Sequence, residues 1–219
     1  MAILEGGTTA VLADVGAASA KGLHVITKPT DYGSLGHYRY AGFTGVLPAA
    51  LAANSEIFQF RFSDATRLAL ISRVYITASV STTAFAAGVP IQVDMVKSTG
   101  WSAAGTGGTA ISPAALLKKR TSMGSSLIAS GDMRIATTAA LGAGTKTLET
   151  LSIAALTGQP GTSVTRFLDN VLFDADIAAG SHPLVLAQNE GFSIRSVAVP
   201  ATGTWQVSVI VEWAEVSVF

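Results

Sequence analysis

From residue 55 onward the chain alternates between apolar and polar side chains. In "IFQFRF", Phe58, Phe60 and Phe62 fall on one parity and Gln59 and Arg61 on the other, which is the period of a strand with one face on a core. "RLALISRVYITASV" sets Leu68, Leu70, Val74, Ile76 and Val80 against Arg73, Tyr75 and Thr77, interrupted only by Ser72, and "VPIQVDMV" groups Ile91, Val93 and Met95. In the last run, "WQVSVIVEWAEVSVF", Trp205, Val207, Val209, Val211 and Trp213 share one face, while Gln206, Ser208 and Glu212 alternate with Ile210 on the other. At ~3.3 Å per residue this run reaches about 50 Å, well beyond a usual strand of roughly 5 or 6 residues. It is expected to bend, bulge or cross an interface, its first half closing the core and "EVSVF" continuing as an edge to be paired or covered.

Further strands are predicted at "GDMRIATT", "KTLETLSIAAL", "TRFLDNVLFD", "HPLVLAQ" and "GFSIRSVAV", separated by the turn chemistry of "ALGAGTK", "TGQPGTS", "DADIAAGSH", "QNEG" and "PATGT". The stretch Gly100 to Gly108 is expected to be a flexible loop. "SPAALLKKRTSM" is the best candidate for a short helix, with Pro113 in the first turn behind Ser112 and Lys118 to Arg120 near its end. Residues 1–35 show neither period and are read as an extended arm, with a short helix over "TTAVLADVGAASA" capped by Thr9 as the alternative. The expected fold is all-β: an antiparallel β-sandwich over residues 36–219, a jelly roll of about eight strands, with an N-terminal arm.

Composition narrows the function. The 219 residues contain no cysteine, so neither a disulfide framework nor a thiolate metal site is available. Fourteen basic and fourteen acidic residues cancel, which argues against a nucleic-acid binder relying on a strong positive field. Mean hydropathy is +0.46, yet no apolar run of about 18 residues suited to spanning a bilayer occurs. No secretion or targeting signal is read at the start. Low net charge gives little protection against association, so some apolar surface is expected to be covered by other subunits.

Candidate chemistry is sparse. His24, His37 and His182 lie in no nucleophile or metal motif, and no G-x-S-x-G elbow occurs. "GTGG" at Gly105 to Gly108 lacks the Lys and Ser or Thr of a phosphate loop. Asp174 and Asp176 alternate as in calcium loops but lack the closing ligands. Glu212 and Glu215 form another possible carboxylate pair, with no acid and base roles assignable. "LLKKR" reads as a solvated helix end. Tyr32, His37, Tyr38, Tyr40 and Phe43 are expected to seat the root of the arm on the sandwich. No catalytic residue, cofactor or metal is expected.

Four stretches, "PTDYGSLGHYRYAGFTG", "LAANSEIFQFRFSDATRLALISRV", "LKKRTSMGSSLIASGDMRIATTAALGAGTKTLET" and "HPLVLAQNEGFSIRSVAVPATGTWQVSVIVEWAEV", together resemble small β-rich virion proteins of tailed bacteriophages. The resemblance spans about residues 30 to 219 and brings no catalytic residue with it. It implies a capsid decoration or cement protein, in a virion assembled in the host cytoplasm, that binds the major capsid protein of the head, often as a trimeric jelly roll. The expected contacts to shell or neighbouring subunit are Ile3, Leu4, Val11, Leu12 and Leu23 on the arm and Val216, Val218 and Phe219 at the end of the last strand. Alternatives are a minor tail or baseplate protein and, from another class, a carbohydrate-binding β-sandwich using Trp101, Tyr38 or Tyr40 as sugar platforms.

Overall fold

The computed structural model describes residues 5–6, 11–12, 36–85, 90–119, 121–159, 166–175, 182–198, 201–217 and 219. The chain divides into two units, residues 1–31 and 32–219. In the first, β1 (Glu5–Gly6) and β2 (Val11–Leu12) pair antiparallel, with Glu5 opposite Leu12 and Gly6 opposite Val11. At Val11 and Leu12 the backbone is therefore extended, not helical.

The second unit contains β3 (His37–Phe43), β4 (Leu47–Pro48), β5 (Ser55–Phe62), β6 (Leu68–Val80), β7 (Ile91–Ala103), β8 (Thr109–Ala110), β9 (Leu117–Lys118), β10 (Met133–Ile135), β11 (Thr145–Gly158), β12 (Arg166–Asp174), β13 (Leu184–Leu186), β14 (Glu190–Ala198) and β15 (Thr204–Val216). They form two antiparallel sheets packed as a sandwich. One runs β11-β7-β14-β5-β10-β8; the other runs β12-β6-β15-β3-β9, with β13 added to β6 and β4 to β15. The long strands pair as a nested series: β7 with β11, β6 with β12, β5 with β14 and β3 with β15. Contacts of β15 with β6 and of β14 with β7 then close each sheet.

Alternation explains the core. Phe58, Phe60, Phe192 and Ile194 from one sheet meet Tyr38, Tyr40, Val209, Val211 and Trp213 from the other, all buried. Phe60 stacks on Phe192 at 5.2 Å between centroids and meets the edge of Trp213 at 5.4 Å. These rings join the layers, each such pair adding about 0.5–1.5 kcal/mol beyond area burial.

Four local expectations are corrected. The segment after Ser112 makes one 3-10 turn, Pro113–Ala115, and Leu116 is already extended. Ser112 and Pro113 do start the turn, but Leu117 and Lys118 are drawn into pairing with Arg39 and Tyr38, so strand pairing ends what helix capping began. Strand β7 continues through Gly100 and Trp101 to Ala103, where a loop was expected; Gly100 supplies a left-handed residue (φ +63°) inside it. Both faces of β5 are buried, Gln59 as completely as Phe58. Finally, β15 is an interior strand: β6 flanks it as far as Val216 and β3 as far as Ala214. Its length is accommodated by one irregularity between Glu212 and Trp213, the bulge that a run this long invites.

Candidate functional site

The two outer faces of the sandwich differ. On the seven-stranded sheet, Arg39, Glu212, Arg73 and Asp174 are direct cross-strand neighbours in register and form a ladder of alternating charge over β3, β15, β6 and β12. Glu212 Oε1 lies 3.5 Å from Arg39 Nε and 2.9 Å from Lys119 Nζ, and Arg73 Nε donates to Asp174 Oδ2 at 2.8 Å. That hydrogen bond raises the Arg73 pKa further. Its guanidinium also sits 5.6 Å from the centroid of the Tyr75 ring. His37, at the start of β3, has its pKa lowered by burial and then by Lys119.

One step along the strands the row is apolar: Ala41, Ile210, Tyr75 and Val171 stand opposite one another. The next row begins with Phe43 opposite Ser208, and Phe43 is 75% exposed. Arg39, Arg73, Tyr75, Ile210 and Glu212 line an open groove of about 330 Å³. Among the described residues, the ladder and Lys119 place three cations and two carboxylates beside an apolar strip.

The outer face of the six-stranded sheet is closed around Glu56 and Asp94. Glu56 Oε2 accepts from Lys146 Nζ at 2.5 Å, Gln59 Nε2 at 2.6 Å and Ser193 Oγ at 2.8 Å. Lys146 Nζ lies 4.0 Å from the centroid of the Trp101 ring, whose Nε1 donates to Ser98 Oγ at 2.7 Å. Burial lowers the Lys146 pKa against the opposing pull of Glu56. Asp94 takes Arg195 in a fork, at 3.0 and 2.6 Å, and also Ser152 at 2.7 Å. The segments around Gly105 and Gly142 complete the cover. Gly142 O accepts from Gln59 Nε2 at 3.1 Å, and a Cβ at Gly105 would collide with Gln59 Oε1.

At the end of β15, Glu215 is buried inside the sandwich. It accepts from Ser126 Oγ, Leu127 N and Trp213 Nε1, and desolvation raises its pKa despite those bonds. It pins the 126–127 segment to the last strand.

Of the contacts expected from sequence, Ile3, Leu4, Leu23 and Val218 lie outside the described residues, and Val11 and Leu12 form β2. Val216 is buried with Leu70 and Ala214 within its own chain, and Phe219 meets His182 edge-on at 4.9 Å. Glu212 and Glu215 fall on opposite faces of β15, so they are not a facing pair. Asp174 binds Arg73, while Asp176, Arg120, His24 and Tyr32 lie outside the described residues. Trp101, Tyr38 and Tyr40 are buried and offer no sugar platform. The groove residues went unrecognised because each reads as an ordinary polar position of a strand; only cross-strand register brings them together.

Comparison with protein-family models, with curated proteins and with solved structures finds no match. Chemically, the open face is suited to holding a surface that offers carboxylates and apolar side chains together.

Proposed function

We propose that the chain is a structural subunit of a bacteriophage virion, a capsid decoration protein that binds the major capsid protein through the open face of its seven-stranded sheet. The observation that carries this reading is the charged ladder lying beside an apolar row and the exposed Phe43, on a chain whose formal net charge is zero. The partly exposed Arg39, Arg73 and Lys119 side chains favour an acidic, partly apolar strip on the shell. The nested pairing of eight long strands supports a jelly roll, the architecture that the resemblance to virion proteins implies. Multiple copies, a trimer in that resemblance, bring several weak faces to one shell and multiply their effect.

The test is sedimentation of purified protein with undecorated phage heads. Wild type should co-sediment, and Arg73→Glu together with Phe43→Ser should abolish binding while the circular dichroism spectrum stays unchanged. Binding to tails and not heads would favour the minor tail reading. Retention of head binding by the double variant would move the contact to another face. Burial of Trp101, Tyr38 and Tyr40 takes from the carbohydrate reading the residues that supported it.

A further inference from the structure

We infer that the cluster under Trp101 makes an intramolecular amide bond between Lys146 Nζ and Gln59 Cδ, with Glu56 as the proton shuttle. Three features of the geometry point to it. The nucleophile and the leaving nitrogen share one carboxylate oxygen: Glu56 Oε2 is 2.5 Å from Lys146 Nζ and 2.6 Å from Gln59 Nε2. All three side chains are removed from solvent, Lys146 with 2% of its side chain exposed and Glu56 with 5%, and the Trp101 ring covers the amine. Gln59 Oε1 is buried without a hydrogen-bond partner, whereas a glutamine placed only for structure would have both ends of its amide satisfied.

The chemistry balances without an outside reagent. Glu56 takes a proton from the Lys146 ammonium, and burial already biases that amine toward its neutral, nucleophilic form. Nζ attacks Cδ of Gln59, a C–N bond forms, and the bond from Cδ to Nε2 breaks as Glu56 passes its proton to the departing nitrogen. The nitrogen takes a second proton from the former lysine nitrogen and leaves as ammonium. The remaining amide N–H can still donate to Glu56. No oxidation state changes. Exclusion of water protects the acyl carbon from hydrolysis and strengthens each electrostatic contact.

The product would tie β11 to β5 across β7 and β14. In a chain with no cysteine, it is a covalent staple that needs no oxidising compartment. This inference is independent of what the open face binds.

Intact-mass spectrometry of the full-length protein under denaturing conditions decides it. The expected mass is that of the sequence less one ammonia, with fragmentation joining the peptide of Gln59 to that of Lys146. Lys146→Arg and Glu56→Gln should each restore the full mass. Because the decisive reading is made on the wild type, a variant that fails to fold does not obscure it. The unmodified mass after prolonged incubation of folded protein would overturn the proposal. Loss of one water would also overturn it, since Glu56 itself would then be the acyl donor.

Discussion

The two outer faces carry the same kind of chemistry, acid and base side chains matched across neighbouring strands, but one is closed and the other is open. Under Trp101 and the Gly105 and Gly142 segments, Glu56, Lys146, Asp94 and Ser193 have given up water almost completely. On the opposite side Arg39 and Arg73 keep about a third of their side-chain surface exposed, 36% and 35%. Burial makes a charge dependent on its partner, because losing that partner leaves an ion in a poorly solvating medium. An exposed pair is screened, and removing it changes stability little. The closed face thus serves the fold, while the open ladder, whose cations reach solvent, is free to serve recognition.

The strongest way to break this contrast is at the centre of the closed face. Relative to Lys146→Arg, which keeps the cation and cannot make the amide bond, Lys146→Met should strand Glu56 without a cation and destabilise the protein by about 3–5 kcal/mol, lowering Tm by roughly 10 °C for a chain of this size. Adding Glu56→Leu should recover much of the loss, since replacing both partners removes the uncompensated charge. Thermal unfolding followed by circular dichroism measures both. A loss under about 1 kcal/mol for Lys146→Met would show that water reaches Glu56 and that the face is not closed.

The same contrast marks what the sequence makes legible. Strands with one wet face, such as β15 over Trp205 to Trp213, announce themselves through alternation, and their inward residues form the core as expected. Strand β5 alternates just as plainly, yet Gln59 is buried, because the cover on its outer face comes from residues more than 40 positions away. Trp101 reads as part of a Gly-rich loop for a similar reason: its place in β7 is fixed by pairing with β11 and by Ser98 and Lys146. The helix expected after Ser112 failed because β3 offers a pairing edge to Leu117 and Lys118, and local capping carries no information about that edge. The ladder was invisible for the most general reason. Its members, Arg39, Arg73, Asp174 and Glu212, are distant along the chain, and one residue of register would send each to the other face.

A second, smaller effect marks the buried acid Glu215 by pH. Glu215 has a raised pKa in the fold, so between its ordinary value and that raised value the folded state binds more protons than the unfolded one. Its contribution to stability must then fall as pH rises through that window. His37 has the opposite sign: its lowered pKa means that stability is lost as pH falls below the ordinary histidine value. Glu215→Gln should therefore flatten the decline on the acid side of neutrality while leaving the His37 limb intact. Denaturant midpoints of wild type and variant across pH 4 to 7 check this, and parallel curves would show that Glu215 is not desolvated as its contacts require.

Smaller again is the expected cost of Arg73→Ala. It removes the bond to Asp174, whose own side chain is only 4% exposed, and the contact with Tyr75, so a loss of about 1–3 kcal/mol is expected. If the open face is the contact with a phage head, that binding should weaken about tenfold or more and become less sensitive to salt. A large loss of stability with unchanged binding would reverse the roles assigned to the two faces.

The smallest effect on the fold should come from Phe43. With three quarters of its surface in water, Phe43→Ser should change stability by no more than about 0.5 kcal/mol in either direction, provided that the pairing of β3 with β15 is kept. If the open face is the contact, the same change should still weaken head binding, because an aromatic ring beside a charged strip is the kind of anchor on which interfaces concentrate their energy. Leu151 is the control. It is 80% exposed and lies on the edge strand β11, within the register shift between Leu148 and Ser152, on the other sheet. Leu151→Ser should leave both stability and head binding unchanged. Should Leu151 and not Phe43 govern binding in the sedimentation assay, the partner would be adding to the β11 edge, and the ladder would lose its place as the contact.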